Sequence, residues 1–327
     1  MKIAIVGAGG VGGFFGGRLA AAGHDVRFVA RGAHLEALLR DGLTVRSPDG
    51  DFAVERVRAT SDASEIGVSD FVLLCVKTWQ LPAAIEALKP LVGPGTGVVT
   101  LQNGVEAPEL VAEVVGREAV LPGVAKVIAR LAGPGVIQHV GGEGSLTFGE
   151  WDDRVTDRAQ RLRDALTEAG ARGVVAGRIW AELWAKFLFV VPFGSLGAVT
   201  DAGFGELRSR PGTRRLLADG MAEVARLARA ADVELPDDLV ESTLAFIDRQ
   251  PAQGTSSLQR DILAGLPSEL DAWTGAVVRL GDRLGTPTPV HDVLYEVLNL
   301  REERARTART QDGDEDGEDG RTGGGGR

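Results

Sequence analysis

The first 31 residues, MKIAIVGAGGVGGFFGGRLAAAGHDVRFVAR, restrict the fold more than any other part of the chain. Lys2–Val6 is a short apolar run suited to a buried strand, Gly7-x-Gly9-x-x-Gly12 follows at once, and an apolar helical pattern opens at Val11. Strand, glycine turn and helix in that order form the context that a dinucleotide-binding fingerprint requires. In such a turn Gly7 permits the tight bend, Gly9 lets a pyrophosphate approach the backbone, and Gly12 lets the helix pack close to the strand. The helix N-terminus then offers free N–H groups and a partial positive charge to the phosphates, so Gly7, Gly9, Gly10, Val11 and Gly12 are assigned to cofactor binding. Val26–Val29 reads as the second strand. An NAD site places an acid just after that strand, whereas this chain has Ala30-Arg31-Gly32. A permanently charged, forked guanidinium at Arg31 suits a 2′-phosphate, which favours NADPH. The plainer reading, a solvated surface arginine, stays open on these grounds.

Apolar strand runs at 2–6, 26–29, 71–76 and 97–101 alternate with helical stretches at 11–22 and 80–91. This alternation predicts an α/β fold: an N-terminal Rossmann-like, doubly wound sheet over residues 1–150, with helices on both faces. Gly141–Gly144 reads as a turn before a final strand at 145–148. Beyond Asp152 helical patterns near 153–170, 177–200, 211–232, 237–249, 269–285 and 290–305 predict a mostly α-helical second domain over 151–305. Residues 306–327 form an acidic, glycine-rich tail, and its last part (311–327) has no apolar residue to bury, so disorder is expected there.

The net charge is −10, of which the six acids and two arginines of 311–327 carry −4. The remainder leaves no basic footprint for nucleic acid. A single cysteine, Cys75, excludes an internal disulfide and any multi-cysteine zinc site, and no metal is expected. The longest apolar helical stretch, Ile179–Val199, is interrupted by Glu182, Lys186 and Pro192, so no membrane span is expected. The N-terminus reads as a strand and not as a signal peptide, which points to the cytoplasm.

Cys75-Val76-Lys77-Thr78 ends the third strand run and Leu101-Gln102-Asn103-Gly104 the fourth. Ligands of open α/β sheets bind outside the carboxyl ends of the strands, so Lys77 and Asn103 fall on the cofactor side. A solvated strand-end charge and a plain Asn-Gly turn are the competing readings. In Ile179–Phe189 a lone cation, Lys186, lies in a strongly apolar helix. Glu182, four residues earlier, permits an ordinary surface ion pair. The alternative is a partly desolvated lysine whose ammonium stabilises the oxygen of a ketone as a hydride arrives, and then protonates it. Burial would lower its pKa toward the working range. Ser256 and Ser257 could hydrogen-bond a carboxylate. Ser268 with Asp271 reads as a helix cap with Glu269 in the first turn, where acids more often cap or face solvent.

Together, the N-terminal segment, CVKTWQ, LQNGVE, ELWAKF, TSSLQRDILAGLPSELD and LGTPTPV resemble the ketopantoate reductase (2-dehydropantoate 2-reductase) family from Met1 to about Asn299. The resemblance implies that Arg31 holds the 2′-phosphate of NADPH, that Lys77 contacts cofactor, and that Asn103 lies beside nicotinamide and substrate. It implies that Lys186 is the catalytic proton donor and a substrate contact, that Ser257 helps to bind the substrate carboxylate, and that Glu269 contacts cofactor or lysine in a cleft between the two domains. The chain also departs from the family pattern. Asparagines expected one and two helical turns after the lysine are Val190 and Gly194, and the usual Gly-Arg before the Ser/Thr-Glu element is Gly265-Leu266. Valine offers no hydrogen bond, so the substrate is expected to be larger or more apolar than ketopantoate. The expected function is therefore NADPH-dependent reduction of a small-molecule 2-oxo acid, with ketopantoate as default. A more apolar ketone or imine, and a non-catalytic NADPH-binding regulator, are the alternatives. Apolar C-terminal helices are compatible with a homodimer.

Overall fold

The computed structural model describes the backbone of residues 1–318 and the side chains of 1–307. The elements run β1 (Lys2–Val6), α1 (Gly10–Ala21), β2 (Asp25–Val29), α2 (Gly32–Asp41), β3 (Leu43–Arg46), β4 (Phe52–Val54), β5 (Arg58–Thr60), β6 (Phe71–Leu74), α3 (Leu81–Glu86), β7 (Gly97–Thr100), α4 (Ala107–Val115), β8 (Val120–Gly133), β9 (Val136–Phe148), α5 (Asp157–Glu168), β10 (Arg172–Val175) and α6 (Ile179–Thr200). They continue with α7 (Phe204–Ser209), α8 (Pro211–Ala230), α9 (Leu239–Asp248), α10 (Ser257–Leu263), a π-helical turn at Asp271–Gly275, α11 (Ala276–Leu284) and α12 (Pro289–Glu318). The chain divides into two compact units, Met1–Lys186 and Phe187–Arg327, and the division falls inside α6.

In the first unit β8, β7, β6, β1, β2 and β5 lie side by side, each parallel to its neighbours. Successive side chains of a strand face opposite sides, and the burial follows this rule. Ile3, Ile5, Phe71 and Leu73 enter one core with Phe14, Phe15 and Leu19 of α1. Ala4, Val6, Val72 and Leu74 enter another with Leu81 and Ile85 of α3 and Val111 of α4. Both faces are covered, as a parallel sheet demands.

The rest of the sheet was not expected. Only the first residues of β8 pair with β7; from Gly123 onward it pairs antiparallel with β9, which in turn pairs with β3 and β10. Gly141–Gly144 is therefore not a turn but an irregular stretch within β9, opposite register shifts near Ile128. The sheet curls so that α1 meets strands on several sides: Gly16 packs on Phe28, Gly13 on Ile137 and Gly17 on Leu43. The small residues of α1 are there because it is enclosed. Helix α5 and β10 also belong to this unit, with β10 joining β9 edge to edge.

The second unit begins within α6 and holds the helices expected near 211–232, 237–249, 269–285 and 290–305, together with two short ones, α7 and α10; the helix expected near 153–170, α5, lies in the first unit instead. Helix α12 continues to Glu318, so the backbone of 306–318 extends an established helix where a disordered tail is expected. Residues 319–327 lie outside the described residues. Helix α6 is, by length and composition, long and apolar enough to cross a bilayer; 67% of its apolar window is buried inside the protein, the behaviour of a core helix.

Candidate active site

The glycine turn after β1 is fixed by close backbone approaches. Gly7 adopts φ +99° and donates its N–H to Val29 O at 3.2 Å, so it sits in the left-handed region that favours glycine. A Cβ on Gly12 would lie 2.0 Å from Gly7 O, which forces the helix against the turn, as expected. A Cβ on Gly10 would lie 2.2 Å from Ala129 O, so Gly10 is also held by packing on β8. Gly9 is different: a Cβ there would meet nothing within 4 Å. Val11, half-buried, packs against the core behind the turn. Helix α1 begins with no acidic residue in its first turn and no side-chain cap. Its N–H groups and positive dipole end thus face no carboxylate of their own first turn. An open approach at Gly9 and a bare helix N-terminus fit a dinucleotide pyrophosphate. Arg31, expected to meet a 2′-phosphate, is exposed immediately after β2 at the N-cap of α2.

Lys77 and Asn103 follow β6 and β7, adjacent parallel strands, and both are half-buried. The Lys77 ammonium lies 5.5 Å from the Trp79 ring centroid. Sequence reasoning missed the residue that joins them. Gln102 is buried and its Nε2 donates to Leu74 O at 2.9 Å and to Val76 O at 3.0 Å, tying the end of one strand to the other. A glutamine directly after a buried strand was the available signal. Burial pushes the Cys75 thiol well above the ordinary range.

Lys186 is the last residue of the first unit, and its Nζ donates to Ala125 O on β8 at 2.8 Å. Glu182, whose spacing permits a surface ion pair with Lys186, lies 3.8 Å from Lys126 Nζ. Strand β8 therefore carries both the carbonyl that holds the lysine ammonium (Ala125) and the one against which the glycine turn packs (Ala129). Four residues of strand separate them, about 13 Å at ~3.3 Å per residue.

The second unit has its own cluster. Val190 and Gly194 follow Lys186 at four-residue steps along α6, on one helix face. A Cβ on Gly194 would lie 2.9 Å from Trp273 Cζ3 and 3.2 Å from Ser256 Oγ, so the indole fills the space that a side chain at 194 would need. Ser256 Oγ caps α10 by accepting Gln259 N–H at 2.9 Å, and Ser257, half-buried, is the first residue of that helix. Glu269 is buried rather than solvated, at the entry to the π-helical turn, where its carbonyl accepts Trp273 N–H at 3.0 Å.

The family model described as ketopantoate reductase PanE/ApbA matches residues 3–153, and its C-terminal counterpart matches 178–302. The 2-dehydropantoate 2-reductase of Mesorhizobium japonicum is 33% identical over 326 residues, covering 93% of this chain and 99% of the relative. Among solved structures, a PanE/ApbA family ketopantoate reductase from Ralstonia eutropha gives a TM-score of 0.86 at 34% identity, over 94% of this chain and 100% of that one. The 2-dehydropantoate 2-reductase of Geobacter metallireducens gives 0.85 at 31%, over 92% and 99%. With both halves matched in order and at nearly full length, the chain belongs to the ketopantoate reductase family.

Proposed function

We propose that this chain reduces a 2-oxo acid to the 2-hydroxy acid with NADPH, with ketopantoate as the first substrate to test. The observation that carries the reading is the Lys186 ammonium, held by Ala125 O on the strand that also packs against the glycine turn. Gly7, Gly9, Gly10, Val11 and Gly12 would hold the pyrophosphate, Arg31 the 2′-phosphate, and Lys77, Asn103 and Glu269 further parts of the cofactor. When bound, NADPH supplies the hydride. As the ketone oxygen gains negative charge, Lys186 Nζ stabilises it and passes a proton to it. Ala125 O orients the ammonium by accepting one of its three N–H bonds. Asn103 and Ser257 would orient the substrate, Ser257 at its carboxylate.

A second reading keeps the chemistry and changes the substrate to a more apolar ketone or imine. Val190 and Gly194 favour it, because neither residue's side chain offers a hydrogen bond to a hydroxylated acid. The test is NADPH oxidation, followed at the reduced-nicotinamide absorbance, with a panel of 2-oxo acids that includes ketopantoate. Turnover with any member supports the reductase, and its absence with all refutes it. Lys186→Met is expected to lower kcat by roughly 10²-fold or more while NADPH still binds. A non-catalytic NADPH-binding regulator would show binding and no turnover to lose.

A further inference from the structure

The imidazole of His34 joins three elements of the first unit. It stands in the first turn of α2, just after Arg31. Its Nδ1 accepts the Gly135 backbone N–H at 3.0 Å, in the turn between β8 and β9. Its Nε2 lies 2.8 Å from Ala8 O, inside the glycine turn. The partners fix the tautomer: a backbone N–H can only donate, so Nδ1 is the acceptor, and the ring proton resides on Nε2 and is given to Ala8 O. The Gly135 site is itself anchored, since Gly135 O accepts Thr44 N–H at 2.9 Å.

We infer that His34 is a positioning residue of the cofactor site, setting the orientation of the Ala8–Gly9 peptide for anion binding. The argument is one of peptide geometry. In a planar trans peptide the C=O and N–H point in opposite directions. Holding Ala8 O toward His34 therefore turns the Gly9 N–H the other way, and Gly9 is the residue of the turn beside which a Cβ would meet nothing within 4 Å. The same bond keeps the negative end of the Ala8 carbonyl dipole away from an arriving phosphate. Without it, that peptide is free to rotate and to present its oxygen to the anion. The inference rests on the NADPH reading of the glycine turn and adds to it a residue outside the fingerprint.

Two conservative substitutions separate the two nitrogens. In His34→Gln the side-chain amide N–H reaches the position of Nε2 and still donates to Ala8 O, while the bond from Gly135 is lost. In His34→Asn the shorter amide oxygen replaces Nδ1 and still accepts from Gly135, while the bond to Ala8 is lost. Each variant loses one hydrogen bond, so a merely structural histidine would make them equal. Positioning makes them differ: NADPH binding, titrated by nucleotide fluorescence, is expected to stay near wild type in H34Q and to weaken roughly tenfold in H34N. Equal affinities in the two variants, or wild-type affinity in H34N, overturn the inference. Should H34N fail to fold, amide hydrogen exchange of the wild type decides: NADPH must slow the Gly9 amide, and an unaffected Gly9 amide overturns the inference. A wild-type protein that does not bind NADPH at all refutes the cofactor reading, and this inference with it.

Discussion

Two adjacent glycines are predicted to fail in opposite ways. Gly9 has φ −71°, a conformation any residue adopts, and open space where its Cβ would be. In Gly9→Ala the entropy lost from the unfolded chain (about 0.4–1 kcal/mol) opposes the poorer helix cap that alanine makes, so stability should barely change. The new methyl, however, projects where a pyrophosphate would approach, and NADPH affinity should fall at least tenfold, about 1.4 kcal/mol. Gly10 reverses the pattern. Its Cβ would lie 2.2 Å from Ala129 O and 2.5 Å from Ala129 C, both backbone atoms of a paired strand that cannot step aside cheaply. Overpacking of that kind costs up to about 3 kcal/mol, and the gain in helix propensity returns about 1 kcal/mol. A net loss of ~2 kcal/mol corresponds to roughly 4–8 °C in Tm for a unit of this size. Melts followed by circular dichroism without nucleotide, and NADPH titration of the folded proteins, test both arms. Equal melting temperatures for the two variants, or full NADPH affinity in Gly9→Ala, would refute the reasoning.

Arg31→Ala should weaken NADPH binding about tenfold or more and leave NADH binding unchanged, because only NADPH carries the extra phosphate; equal losses for both nucleotides would contradict the assignment. Glu150 accepts Arg158 Nη2 at 2.6 Å and Arg158 Nε at 2.8 Å. Burial pushes its carboxyl up, but the hydrogen bonds from Arg158 and Thr156 outweigh it and hold it below the usual glutamate range. In the second unit Glu223 accepts Val290 N–H at 2.8 Å and faces His291 Nδ1 at 2.5 Å. Burial raises it too, and the His291 and Val290 hydrogen bonds again win. Both acids therefore contribute stability that is complete above the unfolded glutamate pKa of about 4.3 and is lost as pH falls through their lower folded values. Glu150→Gln should cost about 3 kcal/mol at neutral pH and flatten this acid dependence, as read by urea unfolding at pH 7 and pH 3. An undiminished pH dependence in that variant would show that the pair contributes nothing.

What the sequence disclosed and what it concealed differ in the kind of partner involved. The β1–α1 unit is legible because its cause is local: an apolar strand, glycines at set spacing and a helix all lie within Lys2–Ala21. The two-sided burial of the parallel strands follows from their continuous apolar runs in the same way. The β8–β9 pair was missed because about half of it is not fully buried and its glycines imitate a turn, as at Gly141–Gly144. Among the site residues the types could be read but not their anchors. Lys186 is held by Ala125 O, Gln102 by Leu74 O and Val76 O, and His34 by Ala8 O and Gly135 N–H. Every one of these partners is a backbone group, which any residue can supply, and each lies 26 to 101 positions away in the chain. A residue pattern records side-chain chemistry at a position, so an imidazole directed at main chain looks the same in a sequence as one directed at solvent. It also explains why the fingerprint alone undercounts the cofactor site. On the proposed reading the glycines would leave room for the phosphates, but a flexible turn still needs something to select one orientation of its peptides, and in this fold the contact to Ala8 O comes from His34 on the next helix.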